Sequence, residues 1–343
     1  MRAVQLTGFG DVDRLELVEV PRPQPARGEV LIQVGACGLN NTDLNLRKGW
    51  YSPDGDGAES LTGWQHTPPQ FPIIQGADIV GVIVGVGTGV PDSRLNQRVI
   101  VNPTIYKTHP ENPMDIDYLG SERPGGFAQY VCVPAVNAHA ITTDMSDAEL
   151  ATFPTSYLTA WHMLARADVQ AGETVLVTGA SGGVGSALLQ LIKARDARAV
   201  AIVGRGKEDH AQALGAVRII PRDVDDIKQH LGDITVDAVA DVVGGAGIMD
   251  LMHVVRPGGR IVTAGAMAGP MVEIDLRTLY LRHLSLLGST LGTAADFENL
   301  VNTIQAGQIK PLLAHTFPLA QLREAQQTFE RKQFFGKIVI DSF

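Results

Sequence analysis

Hydrophobic and polar positions follow two different patterns along the chain. Up to about residue 150, apolar residues stand in short alternating or β-branched runs separated by Gly and Pro, which is typical of strands. Loop-like segments rich in Pro, Gly and Asp, at 51–70 and 104–124, interrupt these runs. The first part is therefore predicted to be a β-rich domain, with strands at Val30–Val34, Ile79–Val84, Gln97–Val101 and Phe127–Val133.

From about residue 146 the pattern changes to strands that alternate with apolar-faced helices. The predicted strands are Thr174–Thr178, Ala199–Val203, Val217–Ile220, Ala238–Val243, Arg260–Ala264 and Leu284–Leu287. The predicted helices are Ala148–Ala167 with a break at Pro154, Gly185–Arg195, Lys207–Leu214, Val224–Leu231 and Gly247–Val255. This alternation predicts a parallel, doubly wound α/β sheet of the Rossmann type.

The end of the chain resembles the first part more than the middle. Two further helices are predicted, at Ala294–Ala306 and Leu319–Arg331, followed by a closing strand at Lys337–Ile340. We therefore expect a domain formed by residues 1–150 and completed by 291–343, and a second domain formed by 151–290.

Composition narrows the class of protein. The 343 residues are 45% hydrophobic and 19% charged, which fits two globular domains and argues against disorder. The formal net charge is −9, without a basic stripe, so nucleic acid is a poor partner. Two cysteines exclude a disulfide framework and favour a reducing cytoplasm, and neither a signal peptide nor an apolar run of membrane-spanning length is found. We expect a cytoplasmic protein with a small-molecule partner.

The strongest local motif is a glycine-rich turn between a predicted buried strand and an apolar helix. It runs Thr174-Val-Leu-Val-Thr-Gly-Ala-Ser-Gly-Gly-Val-Gly185. Glycine lets a ligand approach the backbone, and the start of the helix offers unpaired N–H groups to a pyrophosphate. The turn predicts a dinucleotide site, the alternative being a turn that serves only chain reversal. The predicted contacts are Ser181, Gly182, Gly183, Val184 and Gly185.

Residues after the second Rossmann strand indicate which dinucleotide binds. NAD-binding domains place Asp or Glu there to bind the ribose hydroxyls. Here Gly204, Arg205 and Lys207 follow the strand, and a 2′-phosphate would suit both cations. We favour NADP(H) over NAD(H), the alternative being two solvated surface cations.

Several ordered motifs resemble the medium-chain dehydrogenase/reductase superfamily across essentially the whole chain. They are Ala36-Cys-Gly-Leu-Asn-Asn-Thr-Asp43, Gly76-Ala-Asp78, Gly125-Gly-Phe-Ala-Gln-Tyr130, Gly182-Gly-Val-Gly185 and Gly336-Lys-Ile-Val-Ile340. The resemblance implies a GroES-like catalytic domain built from both chain ends and a Rossmann domain between them. It also implies cofactor contacts at Gly265 and Ser289, to which we add Val243 and Lys337.

The chain departs from the zinc enzymes of this superfamily. Asn40 stands where they carry a Cys ligand, and Ala77 where they carry a His ligand. Zinc prefers Cys, His or carboxylate ligands, and Asp78 alone would not hold it. The stretch 104–122, where the structural zinc lobe is expected, contains no cysteine. Cys37 matches a non-ligand position, and the scattered His66, His109 and His139 have no ligand spacing. No metal is expected.

The zinc-free branch that the chain resembles contains quinone oxidoreductases and enoyl-thioester reductases. Its pattern N-x-x-D-[IL]-x-x-x-x-G-x-Y matches the run from Asn40 to Tyr51. An acceptor activated by conjugation takes hydride at carbon while hydrogen bonds hold the developing oxyanion. The predicted donor is Tyr51. The alternative is that Tyr51 is an aromatic residue at the rim of the site, without a catalytic role. Asn40 is expected to position the carbonyl or nicotinamide, and Thr42 or Asp43 to orient these groups.

The sequence therefore predicts hydride transfer from NADPH to a quinone, enone or enoyl thioester without zinc. We expect the enzyme to be a homodimer. Two alternatives stay open. One is a zinc-less alcohol or polyol dehydrogenase. The other is a non-catalytic NADPH-binding sensor or structural protein.

Overall fold

A computed structural model of the chain describes residues 1–51, 69–109 and 115–343. The strands in these ranges are β1 (Arg2–Leu6), β2 (Leu15–Glu19), β3 (Glu29–Gly38), β4 (Ile73–Ile74), β5 (Asp78–Val86), β6 (Arg98–Val101), β7 (Thr104–Tyr106), β8 (Ile116–Tyr118), β9 (Tyr130–Pro134), β10 (Ala138–Ala140), β11 (Thr174–Val177), β12 (Arg198–Val203), β13 (Ala216–Pro221), β14 (Val236–Asp241), β15 (Val255–Thr263), β16 (Ser285–Gly288), β17 (Leu313–Pro318) and β18 (Lys337–Ser342). The α-helices are α1 (Asn41–Arg47), α2 (Asp147–Leu150), α3 (Pro154–Arg166), α4 (Gly183–Ala194), α5 (Glu208–Ala213), α6 (Ile227–Leu231), α7 (Ile248–Val254), α8 (Leu276–Leu281), α9 (Ala294–Gln305) and α10 (Leu322–Arg331).

The chain divides into two compact units. Unit 1 comprises Met1–Thr155 and Thr293–Phe343, and unit 2 comprises Ser156–Gly292. Within the described ranges, no helix has both the length and the apolar character that a membrane crossing needs.

Unit 1 is built around a seven-stranded sheet in the order β10-β6-β5-β3-β18-β17, with β9 also paired to β3. The closing strand β18 runs antiparallel to β3, with Ile340 opposite Cys37. A three-stranded sheet β2-β1-β4 and a hairpin β7-β8 accompany it. Its core is a cluster of buried apolar side chains that includes Ile32, Ile79, Phe127 and Ile338. The two ends of the chain thus share one hydrophobic core.

Unit 2 is a six-stranded parallel sheet in the order β13-β12-β11-β14-β15-β16. Counted from its first strand, this is the order 3-2-1-4-5-6 of a Rossmann fold. The central strand β11 is buried along its whole length, as expected for a strand covered on both faces. The predicted parallel, doubly wound sheet is confirmed.

Pro154 breaks the long predicted helix at the expected place. α2 ends at Leu150 and α3 begins at Pro154, because proline lacks an N–H and is tolerated only in a first helical turn. The hydrophobic pattern missed two short helices, α1 and α8. Each has only six or seven residues, too few for periodicity to stand out from background.

α1 is held by a buried arginine. The Arg47 side chain donates from Nε to Gln326 Oε1 at 2.8 Å, from Nη1 to the Gly10 carbonyl at 2.8 Å and from Nη2 to Glu330 Oε1 at 2.9 Å. Gln326 and Glu330 lie on α10, almost 300 positions away along the chain. The guanidinium is fully buried, so its partners replace the water it gives up. Arg47 thereby fixes the helix that begins at Asn41.

Candidate active site

The glycine-rich turn lies between β11 and α4 in unit 2. α4 begins at Gly183, with Gly182 as its N-cap residue. Gly185 is required by packing, since a Cβ there would lie 2.2 Å from the Gly179 carbonyl oxygen. Gly182 is different, because a Cβ there would meet nothing closer than 3.5 Å and the residue is exposed. Ser181 and Val184 flank it, half-buried. Packing therefore does not require a glycine at position 182, and the backbone there is accessible to a ligand.

A group of cations follows β12. Arg205 is 79% exposed and its Nε lies 2.8 Å from Asp223 Oδ2, a pairing that contributes little to stability at such exposure. Burial, and next the positive charge of Arg222, lower the pKa of Lys207. A Cβ on Gly204 would lie 3.9 Å from Nη2 of Arg222. The structure thus brings Arg222, which the sequence analysis missed, to the same edge as the predicted pair.

The signal for Arg222 lay in its position. It directly follows β13, and β13 lies beside β12 in the parallel sheet. The carboxyl ends of adjacent parallel strands meet at one edge, so the residue after β13 had to lie near the residues after β12.

The other predicted cofactor contacts follow the remaining strands of unit 2. Val243 N donates to Asp241 Oδ1 at 3.1 Å, and the buried Asp241 also accepts from the Thr178 hydroxyl at 2.5 Å. Gly265 follows β15, and a Cβ there would lie 2.5 Å from the Val242 carbonyl oxygen. Ser289 follows β16, and its buried Oγ has no partner among the described residues. These positions line the carboxyl edge, where doubly wound sheets bind ligands.

A buried polar cluster lies in unit 1, where β3, β5 and β18 meet. Lys337 Nζ donates to Asn40 Oδ1 at 2.5 Å and to Asp78 Oδ2 at 2.9 Å. Thr155 N donates to the other Asp78 oxygen, Oδ1, at 2.8 Å. The Lys337 and Asp78 side chains are 4% and 0% exposed. The prediction that Lys337 contacts the cofactor stays a prediction, and the structure gives its ammonium two partners within unit 1.

Asp43 lies beside this cluster, in the first turn of α1. Its carboxylate accepts from Asn40 N at 2.8 Å and from Gly76 N at 3.2 Å. Burial raises the pKa of Asp43 from 3.8 to about 7, the negative charge of Asp78 adds to that rise, and these backbone donors with Lys337 offset part of it. A carboxyl group that titrates near neutral pH is able to give or take a proton.

Tyr51 is the last described residue before the gap at 52–68. Its hydroxyl accepts from Asn45 Nδ2 at 3.0 Å. Burial raises the pKa of Tyr51, hydrogen bonds with Asn45 and Thr42 lower it in part, and the charge of Asp43 raises it. The structure therefore brings together the four residues predicted to be catalytic, namely Asn40, Thr42, Asp43 and Tyr51.

A second tyrosine reaches this cluster from the hairpin. The buried Tyr118 hydroxyl lies 2.8 Å from Thr155 Oγ1. Burial raises its pKa well above the usual value, and the charges of Asp78 and Asp43 act in the same direction. The sequence analysis treated this segment as an irregular lobe, so Tyr118 was missed.

The positions of the family's zinc ligands hold different chemistry here. Asn40 and the buried Ala77 occupy the Cys and His positions, and the Asp78 carboxylate is already bound to Lys337. In the part of the chain that the structure describes, no group of three His, Cys, Asp or Glu side chains could hold a metal ion. Cys37 is fully buried, and burial raises the pKa of its thiol. His66 lies outside the described residues.

The expected lobe at 104–122 contains the hairpin β7-β8 on either side of the undescribed residues 110–114. Lys107 Nζ lies 2.9 Å from Asp117 Oδ1 across this hairpin. An ion pair and backbone ladder therefore connect the two sides of the lobe where the zinc enzymes carry four cysteines.

Comparison with known proteins matches this architecture. Residues 26–143 match the family model of the alcohol dehydrogenase GroES-like domain, and residues 183–306 match that of the zinc-binding dehydrogenases. The acryloyl-coenzyme A reductase of Metallosphaera sedula is 30% identical, with 99% of each chain covered. The quinone oxidoreductase of Lama guanicoe is 27% identical, over 99% of this chain and 97% of that one.

Solved structures agree. A Sinorhizobium meliloti 1021 protein solved under the provisional description of an alcohol dehydrogenase is 46% identical, with a TM-score of 0.95 over 100% of this chain and 97% of that one. The 2-octenoyl-CoA carboxylase reductase CinF, solved with NADP and 2-octenoyl-CoA, is 26% identical, with a TM-score of 0.86 over 99% and 87% of the two chains.

The fold and the carboxyl-edge site define a two-domain enzyme class with a GroES-like and a Rossmann domain. The chain belongs to the medium-chain dehydrogenase/reductase superfamily of oxidoreductases, in its quinone oxidoreductase-like branch.

Proposed function

We propose that this protein is an NADP(H)-dependent reductase that transfers hydride to a conjugated carbonyl acceptor, a quinone, enone or enoyl thioester, without zinc. Unit 1 is the catalytic domain and unit 2 binds the cofactor. The observation that carries the proposal is the buried cluster of unit 1. It places Asn40, Ala77 and a lysine-bound Asp78 where a zinc enzyme needs metal ligands.

The residues of unit 2 fit a dinucleotide. Gly182 leaves the start of α4 open to a pyrophosphate, and a side chain there would fill that space without any clash inside the fold. Gly183, Val184 and Ser181 would contribute backbone and hydroxyl contacts. NADPH supplies the hydride when bound.

The cations after β12 and β13 favour NADP(H) over NAD(H). Arg205, Lys207 and Arg222 would hold a 2′-phosphate, to which Arg205 can turn because its pairing with Asp223 is exposed. A carboxylate at the end of β12, where Gly204 stands, would favour a free ribose hydroxyl instead.

Unit 1 supplies hydrogen-bond donors and a proton-exchanging acid. The conjugated acceptor receives hydride at carbon, its π electrons move to oxygen, and a proton then completes the reduction. Tyr51 is the proposed donor to that oxygen, Asn40 positions the carbonyl, and Thr42 and Asp43 orient them. The raised pKa of Asp43 supports a role in returning the proton.

We also propose a cytoplasmic homodimer. Both cysteines, Cys37 and Cys132, are free thiols, which suits a reducing compartment. The sheet of unit 2 ends at β16, whose outer edge has no partner among the described strands. Of the eleven exposed large hydrophobic side chains in the described ranges, seven lie between residues 267 and 286. An unpaired strand edge beside an exposed apolar patch favours pairing with a second copy.

A spectrophotometric screen tests the proposed activity. NADPH oxidation would be followed through the loss of the nicotinamide absorption with quinones, enones, enoyl thioesters and aldehydes, and NADP⁺ reduction would be followed with simple alcohols. We expect turnover with at least one conjugated acceptor and zinc well below one per chain in the same sample. Turnover of simple alcohols alone would instead favour the zinc-less alcohol dehydrogenase, a class suggested by the Sinorhizobium meliloti structure. Turnover with none would favour a non-catalytic protein.

A further inference from the structure

We propose that Lys337 and Asp78 act as positioning residues for Asn40, whose Nδ2 donates a hydrogen bond to the carbonyl oxygen of the acceptor. The inference rests on the proposed function and names a second group, beside Tyr51, that donates to the developing oxyanion. Asn40 would be the catalytic residue, since it touches the substrate, and the other two act through it.

The ammonium of Lys337 decides which way the Asn40 amide faces. An ammonium only donates hydrogen bonds, so the Asn40 atom 2.5 Å from Nζ has to be the oxygen. The amide is planar, and its Nδ2 therefore lies on the side away from Nζ. Glutamate or aspartate at position 40 would offer no donor at all.

Nδ2 is the atom of this cluster that remains open. Asn40 N is bonded to Asp43 Oδ2, and both Asp78 oxygens have donors in Thr155 N and Lys337 Nζ. Asn40 Nδ2 is buried and has no hydrogen-bond partner among the residues that the structure describes. An unmet buried donor is costly, and native proteins retain few of them. A ligand oxygen would satisfy it.

The charges of the cluster strengthen this donor. Lys337 withdraws electron density through Oδ1 and so polarises the N–H bonds of the same amide. Asp78 balances the ammonium, so the cluster does not present a bare buried charge. On hydride transfer the hydride adds to the β-carbon of an enone, the two π electrons move to the carbonyl oxygen, and NADPH leaves as NADP⁺. Asn40 Nδ2 then donates to the enolate oxygen until a proton, returned by Asp43 and replaced from water, reaches the α-carbon and completes the saturated ketone.

A kinetic double-mutant cycle between Asn40→Ala and Lys337→Met tests the coupling. With an enone, Asn40→Ala should lower kcat by about 10²-fold, as the loss of an oxyanion donor does. Lys337→Met should lower it by at least about tenfold, since the amide is then free to turn. The double variant should be no slower than Asn40→Ala. The exposed Lys310→Met serves as the control and should keep wild-type kcat.

A variant that lacks both buried charges separates a loss of stability from a loss of Asn40 positioning. Lys337→Met combined with Asp78→Asn leaves no unpaired ion, so its thermal stability should exceed that of Lys337→Met alone. Its kcat should nevertheless stay low. NADPH affinity, measured by fluorescence titration, should stay within about twofold of wild type in all of these variants.

A spectroscopic readout does not depend on turnover. 4-Nitrophenolate carries a stable oxyanion whose absorption shifts to shorter wavelength when the oxygen accepts hydrogen bonds. We expect the cofactor-free wild type to bind and shift it, and Asn40→Ala and Lys337→Met to lose the shift.

Independent, multiplying losses of kcat in the double variant would overturn the inference. So would an unchanged kcat in Lys337→Met with weakened NADPH binding, which would make Lys337 a cofactor residue. A wild type that shifts 4-nitrophenolate through Asn40 but reduces no acceptor would remove the proposed function and leave the oxyanion site in place. A wild type that reduces an acceptor, but whose 4-nitrophenolate shift is the same in Asn40→Ala, would remove the oxyanion site and leave the proposed function in place.

Discussion

The two candidate regions of this protein differ in how they are assembled. The edge of unit 2 consists of loops that directly follow successive strands, and two of its cations, Arg205 and Arg222, are exposed, with Arg205 at 79%. The cluster of unit 1 joins Asn40, Asp78 and Lys337, which are separated by up to 297 positions and are buried. Exposed charges can be exchanged at little cost to the fold, whereas buried ones are part of its stability. Substitutions should therefore separate binding from folding in unit 2 and affect both in unit 1.

The largest effect is expected from breaking the buried ion pair. Lys337→Met leaves Asp78 uncompensated and should lower the free energy of unfolding by about 3–5 kcal/mol. Denaturant titration measures it, with Lys310→Met as the exposed control. Equal denaturation midpoints for the two variants would show that the buried ion pair contributes no more to stability than a surface lysine. The contrast between the two regions would then be wrong.

Asp43 should make stability depend on pH. Its acid is protonated in the folded chain up to about pH 7, while the unfolded chain ionises near 3.8. Between these values the folded chain binds more protons, so stability should fall as pH rises and level off above 7, by roughly 4 kcal/mol at most. Asp43→Asn should flatten this slope and the exposed Asp144→Asn should not. The charged and titratable groups that face Asp43 are Cys37, Asp78, Lys337 and Tyr51. A slope in Asp43→Asn as steep as in Asp144→Asn would show that Asp43 is not the group that titrates.

Tyr51→Phe tests the catalytic side of unit 1. Loss of its hydroxyl should lower kcat by about 10²–10³-fold with an enone and less with a quinone, which needs less stabilisation of its oxyanion. NADPH affinity should be kept. Tyr130→Phe removes a hydroxyl elsewhere in unit 1 and is the matched control. Unchanged kcat with both acceptors would remove Tyr51 from the mechanism and leave the oxyanion to Asn40.

Arg205→Ala and Arg222→Ala test the edge of unit 2. Each should weaken NADPH binding by roughly 10- to 100-fold, because a charge-assisted hydrogen bond is lost, while NADH binding changes little. Thermal stability should stay near wild type. Arg218→Ala removes an exposed cation from the neighbouring strand β13 and should affect neither cofactor. If NADH binding weakened in parallel, the 2′-phosphate assignment would be lost.

The smallest effect concerns the edge strand. Leu286→Lys should raise the dissociation constant of the proposed dimer by about tenfold or more, since it places a charge at the unpaired edge. Light scattering across a dilution series measures it. Leu17→Lys changes an exposed leucine of unit 1 and should leave the mass unchanged. A wild type that is monomeric at every concentration would end the dimer proposal.

The elements that the sequence predicted well are those with strong local signals. The buried strand β11 and the helix α4 lie on either side of a glycine-rich turn. The residues that specify the strand, the turn and the start of the helix are neighbours in the sequence. The break at Pro154 follows from the chemistry of one residue. α1 was missed because Arg47, which holds it, has its partners on α10. The local hydrophobic pattern cannot predict contacts between residues so far apart in the sequence.

By itself, the sequence determined the α/β class, the parallel Rossmann sheet and the place of the cations after β12, since these depend on residue types and strand order. It also determined that the zinc positions carry an amide and a methyl group. Only the tertiary structure decided that Lys337 bonds to Asn40 and Asp78 and that the Tyr118 hydroxyl reaches Thr155. The physical reason is that burial, pKa and hydrogen-bond direction are set by neighbours in space, and chain folding brings residues 40, 78 and 337 together only when β3, β5 and β18 join one sheet.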